Sequence, residues 1–271
     1  MKRSIALLIT LSFIIVVVLI VGKILNIYEK ISNTGFEKSI SQNSVLIKDI
    51  KKNLKDILKD INSSKDLKNI FVTLPVSMDD FRGVVTIRPL SDKLNLNLYK
   101  DKTKRKYIDI FLQNLFDYYN VADFYYFKNL LLDTFDSDNI ERDSFTEIKN
   151  YDYTFNNGNI YSFNQFKKIL IQYINYTNDK NILKIPWQKL IYFSDESTII
   201  DCENMNKKFL KFYGINNCKE KNDIANALDI ISYEKNRSYL IEIDVNYTLD
   251  NLKIVYNLNT KKAVVENNPL Y

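Results

Sequence analysis

A run of apolar residues near the start of the chain limits its fold more than any other feature. The run covers residues 5–21, follows Lys2 and Arg3, and continues to residue 25 with a single lysine. A helix needs about 20 mainly apolar residues to cross a hydrocarbon core of about 30 Å, so we predict a transmembrane anchor over residues 5–25. A cleaved signal peptide is the weaker interpretation, because residues 22–25 lack its small-residue cleavage site. The basic start predicts a cytoplasmic N-terminus and an extracytoplasmic body.

The amino-acid composition removes several kinds of catalytic site. None of the 271 residues is histidine, which excludes Ser-His-Asp and Cys-His nucleophiles, histidine zinc sites and imidazole acid–base catalysis. Two cysteines cannot form a four-thiolate metal site, and the five glycines are too scattered for a phosphate-binding loop. A carboxylate pair or a Ser-Lys dyad stays open, but we predict that the chain is not an enzyme.

The charge distribution gives little support for nucleic-acid binding. The 38 lysines and arginines exceed the 33 aspartates and glutamates and give a formal charge of +5, but they are scattered along the chain. Nucleic-acid-binding chains typically concentrate basic residues in a patch or an arm.

The segment after the anchor has the pattern of a long amphipathic helix. Apolar residues recur mostly at intervals of three and four, at Ile47, Ile50, Leu54, Ile57, Leu58 and Ile61. Poor helix formers at residues 33–35 predict a kink or loosening. Ser63, Ser64 and then Pro75 are predicted to end the helix.

Strand patterns lie on both sides of a long helical block. Residues 83–88 and 94–99 alternate in the manner of strands, and so do residues 239–247, 252–258 and 263–265. The last three predict an antiparallel meander. Since two short N-terminal strands would be marginal alone, we predict that they join the meander in one sheet.

The block between these strands reads as helical. Within it, Ser162 and Gln165 have the spacing of a capping box, and a further helix is predicted from about Asn204 to Gly214, a good left-handed C-terminal residue. We therefore predict an α+β fold with a head over residues 26–101 and 231–271 and an inserted all-α domain over residues 102–230.

Several short motifs give the chain a resemblance to a known family. They are Lys2-Arg3-Ser4-Ile5-Ala6-Leu7-Leu8-Ile9 at the start, Leu94-Asn95-Leu96-Asn97, and Leu131-Leu132-Asp133-Thr134-Phe135-Asp136-Ser137-Asp138. With the C-terminal meander, they resemble the minor pseudopilin K family of type II secretion systems. That family lacks the glutamate that most pilins carry at the fifth position after the processing point, and this chain has Ile9 there. A Gly-Ala-Glu pattern that follows the acidic motif in the family is not recognisable here.

The resemblance implies a fold, a processing step and partners. The fold is pilin-like: a long N-terminal transmembrane helix packs on a small antiparallel sheet that carries an inserted all-α domain. A prepilin peptidase would remove the leader, residues 1–4, between Ser4 and Ile5, and the new N-terminus would be methylated. The mature protein would sit in the bacterial inner membrane with its bulk in the periplasm. There it would cap the tip of a pseudopilus and help initiate its assembly for protein export. Its partners would be I-, J- and H-like minor pseudopilins and an inner-membrane assembly platform.

The resemblance also implies calcium in the head. The hard oxygen ligands that calcium prefers would come from Asp136, Asp138, Glu141 and Asp143. A solvated acidic loop without metal is an equally open interpretation of these four residues.

Two other functions stay open on the sequence. A minor pseudopilin of a DNA-uptake pseudopilus would use the same scaffold. A membrane-anchored extracytoplasmic binding or sensory head with no filament role would need the anchor to stay uncut and the resemblance of the acidic motif to be a coincidence.

The two cysteines, Cys202 and Cys218, are expected to form a disulfide. An even pair in an extracytoplasmic head permits one, but the intervening helix would separate its ends by about 15 Å, so residues 214–217 would have to double back along it. Two reduced, buried cysteines acting as small apolar residues stay equally open.

Overall fold

The computed structural model describes residues 18–19, 21–23, 61, 63–78, 81–247 and 250–267. Residues 18–19 and 21–23 are helical, and across this described part of the chain no helix is both long enough and apolar enough to cross a bilayer. The predicted leader, most of the anchor, the kink at residues 33–35 and the apolar stripe up to Leu58 lie outside the described residues. Ile61, the last residue of that stripe, is described and buried.

The longer described helices lie in the middle of the chain. In chain order the α-helices are α1 (Ser64–Ile70), α2 (Lys102–Tyr119), α3 (Phe124–Phe135), α4 (Phe163–Thr177), α5 (Trp187–Leu190), α6 (Lys207–Leu210) and α7 (Asp223–Ala227). Short 3-10 turns cover Leu96–Lys100, Ile148–Asn150, Asn181–Lys184 and Lys211–Tyr213.

The described strands fall into one sheet and two short pairs. They are β1 (Thr73–Met78), β2 (Phe81–Pro89), β3 (Leu94–Asn95), β4 (Ile191–Tyr192), β5 (Ile200–Asp201), β6 (Ile230–Ile231), β7 (Leu240–Tyr247), β8 (Asp250–Asn257) and β9 (Ala263–Asn267). Contacts divide the described residues into two compact units. The first holds those up to Leu90 and from Tyr233 onward, and the second is Ser91–Ser232. These boundaries differ from the predicted ones at residues 102 and 230.

The first unit is built on a five-stranded antiparallel sheet in the order β1-β2-β7-β8-β9. The predicted meander of β7, β8 and β9 is confirmed, and β2 pairs with β7 across the intervening residues. Because side chains alternate between the faces of a sheet, the register-paired Ile87, Ile243 and Ile254 share one buried apolar face. On the other face, Arg88 forms ion pairs with Glu242 and Asp244.

One expectation about the entrance to this sheet was wrong. Ser63 is extended and begins α1 as its N-cap, in a reciprocal capping box with Asp66, whereas the helix that was predicted to end there lies outside the described residues. Pro75 was also expected to end a helix, but it lies inside β1. Since β1 is the edge of the sheet, and an edge strand tolerates a residue without an N–H, the proline is compatible with it.

The second unit has an aromatic core between its longer helices. Phe116 of α2, Phe127 of α3 and Tyr173 of α4 are buried, with ring centroids 5.1 to 6.0 Å apart. The Trp187 ring lies 5.8 Å from that of Phe127 and its indole N–H donates to the Ile182 carbonyl at 3.0 Å. Aromatic contacts of this kind, with the indole satisfied, hold α2, α3 and α4 together.

The second unit is not all-α, which corrects the prediction. β3 pairs with β4 and β5 pairs with β6, both in parallel, and each strand has only two residues. Segments this short carry no readable period. The predicted strand over residues 94–99 is also wrong beyond Asn95, because Leu96–Lys100 form a 3-10 turn.

Candidate functional site

The acidic motif, residues 131–138, begins within α3 and leads into a loop, residues 136–147, that ends at the 3-10 turn Ile148–Asn150. Asp133 is fully buried within α3, and Asp136, in extended conformation, is the C-cap. A helix C-terminus carries partial negative charge, which disfavours carboxylates there. The loop therefore needs nearby positive charge or donors.

Arg142 supplies that positive charge. Its guanidinium forms ion pairs with Asp133 and Asp136, and its backbone N–H donates to Asp133 Oδ2 at 3.0 Å. The Thr146 hydroxyl donates to the same Asp133 oxygen. A buried carboxylate is tolerated only when it is paired and hydrogen-bonded in this way. Arg142 is thus the central residue of the loop, although the sequence reading did not single it out.

The four predicted calcium ligands are not brought together as one set. Asp136 contacts Arg142, whereas the other three accept from loop backbone N–H groups: Asp138 from Ile140 at 2.9 Å, Glu141 from Phe145 at 3.3 Å and Asp143 from Ser144 at 2.7 Å. Among the residues that the structure describes, no three His, Cys, Asp or Glu side chains are grouped to hold a metal ion. Three of the four predicted ligands therefore serve the loop's own backbone.

Buried acceptor oxygens without a hydrogen-bond partner lie on two of the predicted ligands, Asp136 and Glu141, and also on Glu147 and Asn157. Glu147 is fully buried, and its Oε1 accepts from the Asn157 amide at 2.9 Å. Glu147 Oε2, Asp136 Oδ1 and Asn157 Oδ1 are buried without a hydrogen-bond partner. Asp136 and Asn157 also line one cavity of about 410 Å³, beside Lys100 and Lys149. Two carboxylates and an amide offer the hard oxygens that suit calcium, although calcium takes 6–8 such ligands.

Charges of both signs surround this group. Burial raises the pKa of Glu147 and of Asp136, and the hydrogen bonds from Asn157 and Arg142 only partly oppose this. The carboxylates of Asp133 and Asp136 add to the shift at Glu147. Arg142 pairs with Asp133 and Asp136, and Lys100 and Lys149 line the same cavity as Asp136, so the residues present fit calcium by donor type and not by an excess of negative charge.

Glu147 is the residue that the sequence reading missed. No Gly-Ala-Glu pattern is recognisable after the acidic motif, so nothing in the sequence pointed to this glutamate. Phe145, two residues before it, has φ 63°, in the left-handed region that glycine favours.

The two cysteines lie in the second unit, on the segment that contains α6. Cys202 and Cys218 are joined by a disulfide with a Cα–Cα distance of 5.5 Å across a separation of 16 residues. Gly214, at φ 71°, has the left-handed conformation that turns the chain back between them. Formation of the bridge in the cell stays a prediction.

Comparison with known proteins finds a similarity in structure and none in sequence. No protein-family model matches the chain, and no curated protein matches it. A chain of the GspK-GspI-GspJ complex from the enterotoxigenic Escherichia coli Type 2 Secretion System is similar to it, with a TM-score of 0.50 and 11% identity. The match covers 84% of this chain and 96% of that chain. The fold is pseudopilin-like. At this identity the likeness describes the pseudopilin-like fold and nothing finer.

Proposed function

We propose that this chain is a non-enzymatic minor pseudopilin of a type II secretion-like system. The observation that carries the proposal is the fold match to a chain of a complex whose named members are GspK, GspI and GspJ. The match covers 84% of the chain, and the antiparallel sheet of the first unit and the helix-rich second unit both consist of described residues.

In this role the chain acts as the first subunit at the tip of a periplasmic pseudopilus. A prepilin peptidase removes residues 1–4, and the apolar segment holds the protein in the inner membrane until the assembly platform moves it into the filament. Sister minor pseudopilins pack against that apolar helix, because helices in a membrane associate through close packing of side chains. The helical second unit adds bulk at the end of the filament, where no further subunit is stacked.

Calcium is part of the proposal as a structural ion. Asp136, Glu147 and Asn157 would hold it, since each has a buried oxygen without a donor. When bound, the ion would supply a positive partner for these unpaired oxygens. The chain's own residues keep the loop in place: Arg142 holds Asp133 and Asp136, and Thr146 completes the hydrogen bonds of Asp133.

Co-purification from the native bacterium tests the filament role. The tagged chain is extracted with detergent, and bound proteins are identified by mass spectrometry; we expect other minor pseudopilins. Val17→Lys, which places a charge in the apolar segment, should remove these partners, whereas the matched Val17→Leu should keep them.

The same strains separate the possible outcomes. Loss of protein export in Val17→Lys supports the secretion role, and loss of DNA uptake with normal export would assign the chain to a DNA-uptake pseudopilus instead. Recovery of no pseudopilin with the tagged wild type, together with an uncut Met1, would contradict the proposal and favour an anchored sensory or binding head.

A further inference from the structure

Three aromatic side chains form an exposed cluster on the second unit. Phe145, Tyr151 and Tyr176 are 49%, 55% and 43% exposed. The Phe145 ring lies between the other two, with centroid distances of 5.2 Å to Tyr151 and 6.4 Å to Tyr176. Tyr176 in turn stacks on the buried Tyr126 at 4.0 Å. The cluster is therefore fixed on the core of the unit while its outer ring surfaces face solvent.

Phe145 is held in an unfavourable backbone conformation. Its φ of 63° is one that a bulky L-residue rarely adopts and that glycine adopts freely. Two hydrogen bonds fix it: its N–H donates to Glu141 Oε2 at 3.3 Å, and its carbonyl accepts from Gln172 Nε2 at 2.8 Å. Strain of this kind concentrates where a side chain must be presented to a ligand. Here the strain presents an apolar ring to water.

Carboxylates border the same rings. The Glu141 carboxylate lies beside the cluster, since its Oε2 accepts from the Phe145 N–H at 3.3 Å, and its interaction with Tyr151 raises the pKa of that residue. Glu141 and Asp143 both act electrostatically on Tyr126, beneath the cluster. The neighbouring Arg142 guanidinium is already engaged with Asp133 and Asp136. The surface therefore combines aromatic faces with negative charge.

A cationic side chain matches both properties of this surface. Lys and Arg are attracted to the faces of aromatic rings, and their charges pair with carboxylates, while their aliphatic stems cover apolar surface. We propose that the surface formed by Phe145, Tyr151, Tyr176, Glu141 and Asp143 docks a basic, Lys- or Arg-bearing segment of a partner protein. The proposal does not rest on the filament role, because every observation behind it concerns residues of the second unit.

Peptide binding to the full-length chain in detergent tests the docking surface. The probe is a fluorescein-labelled, N-acetylated and C-amidated peptide of alternating Arg and Gly, titrated at 50 mM and 300 mM NaCl. We expect saturable binding that weakens with salt, as exposed charge pairs do. Phe145→Gly should weaken binding at least fivefold while the chain's melting temperature is unchanged or higher, because glycine relieves the strained φ. Glu141→Gln should weaken it about threefold at low salt and less at high salt.

Matched controls distinguish binding at the docking surface from a general effect of charge. Tyr161→Ala removes another exposed ring of the same unit and should leave binding unchanged, and a Glu-Gly peptide should not bind. The proposal is overturned if the Arg-Gly peptide does not bind, or if Phe145→Gly binds it as the wild type does. Sedimentation showing that Phe145→Gly only converts a dimer to a monomer would assign the surface to a second copy of the chain instead.

Discussion

At the scale of single residues, the arginine in the acidic loop decides how the loop is held. Asp133 is fully buried, and the Arg142 side chain above it is 38% exposed and bridges it to Asp136. An ion pair that is partly open to water contributes less than a buried one because solvent screens it. Removal of the arginine still leaves the buried carboxylate short of its charged partner.

Arg142→Gln should therefore destabilise the second unit by about 1–2 kcal/mol, below the 3–5 kcal/mol of a fully buried pair. Urea unfolding followed by near-ultraviolet circular dichroism measures the change. Lys167→Gln, at an exposed position of α4, is the matched control and should change stability by less than about 0.5 kcal/mol. Equal midpoints for the two variants would show that Arg142 does not hold the loop.

Glu147→Gln should reveal the buried charge through pH. Because burial raises the pKa of Glu147 in the folded chain, the folded state loses stability as pH rises from the unfolded value of about 4.3 through the raised one. Gln cannot ionise, so with chelator the variant should match the wild type near pH 4 and melt a few degrees higher at pH 7.5, at about 2–4 °C per kcal/mol.

At pH 7.5, calcium should make the wild type melt at a higher temperature than Glu147→Gln. The wild type gains melting temperature from binding the ion, whereas Glu147→Gln has lost one of the ligands and should gain less. Absence of any calcium response in the wild type would contradict the proposed ion, and a variant less stable than the wild type in chelator would contradict the pKa argument.

Single residues also show what the sequence could and could not predict. Ser162 caps α4 as expected by accepting from the Gln165 N–H at 3.2 Å, but Gln165 reaches back to the N–H of Tyr161 and not to that of Ser162. A cap depends on neighbours in the chain, so its spacing is visible in sequence. The return contact depends on a choice of rotamer, which the sequence does not show.

Residues 94–99 failed as a strand because of two asparagines. Asn95 and Asn97 are buried, and their amides donate to the carbonyls of Ser194 and Ile160 at 2.9 Å. Alternating leucine and asparagine has the pattern of a strand with one solvent-exposed face. Here the first two leucines and both asparagines are buried. The hydrogen-bond partners of the asparagines lie about 60 to 100 residues away in the sequence, so no local pattern predicts these contacts. Arg142 and Glu147 contact residues only 6 to 10 positions away, but these contacts lie in an irregular loop that has no period from which to predict them.

At the scale of elements, the segment between the cysteines is tied to α2. Phe111 of α2 stacks on Tyr213 at 4.3 Å, and Asn114 of the same helix donates to the Phe212 carbonyl at 2.9 Å. The disulfide closes the segment that holds these contacts. The short α6 and the 3-10 turn Lys211–Tyr213 have few hydrogen bonds of their own, so the bridge and the aromatic stack fix their position.

Reduction of the bridge should lower stability by about 3 kcal/mol, the value for a loop of roughly 15 residues. Thermal unfolding with and without a phosphine reductant measures it, and the Cys202→Ala/Cys218→Ala double variant is the control that reductant should not affect. Thiol labelling of the unreduced, denatured chain checks the premise: two reactive thiols would rule the bridge out.

At the scale of the whole molecule, the N-terminus carries the prediction that separates a pseudopilin from other anchored proteins. Processing after Ser4 should give a mature chain that begins with methylated Ile5, which mass spectrometry of detergent-extracted protein detects. Ser4→Arg should block the cut and Ser4→Gly should preserve it, because the resemblance implies a small residue before the processing point. An intact Met1, or a start beyond residue 22, would contradict the prediction.

The pairing of β2 with β7 has a consequence for synthesis. Arg88 and Glu242, which meet across these strands, are 154 residues apart in the chain. Synthesis on the ribosome proceeds at about 5–20 residues per second, so β7 is made on the order of 8–30 s after β1 and β2. During that time the open side of β2 exposes unpaired backbone groups that another chain could occupy. The second unit, Ser91–Ser232, emerges complete during the same interval. The nascent protein therefore needs a chaperone most while its first two strands lack their partner.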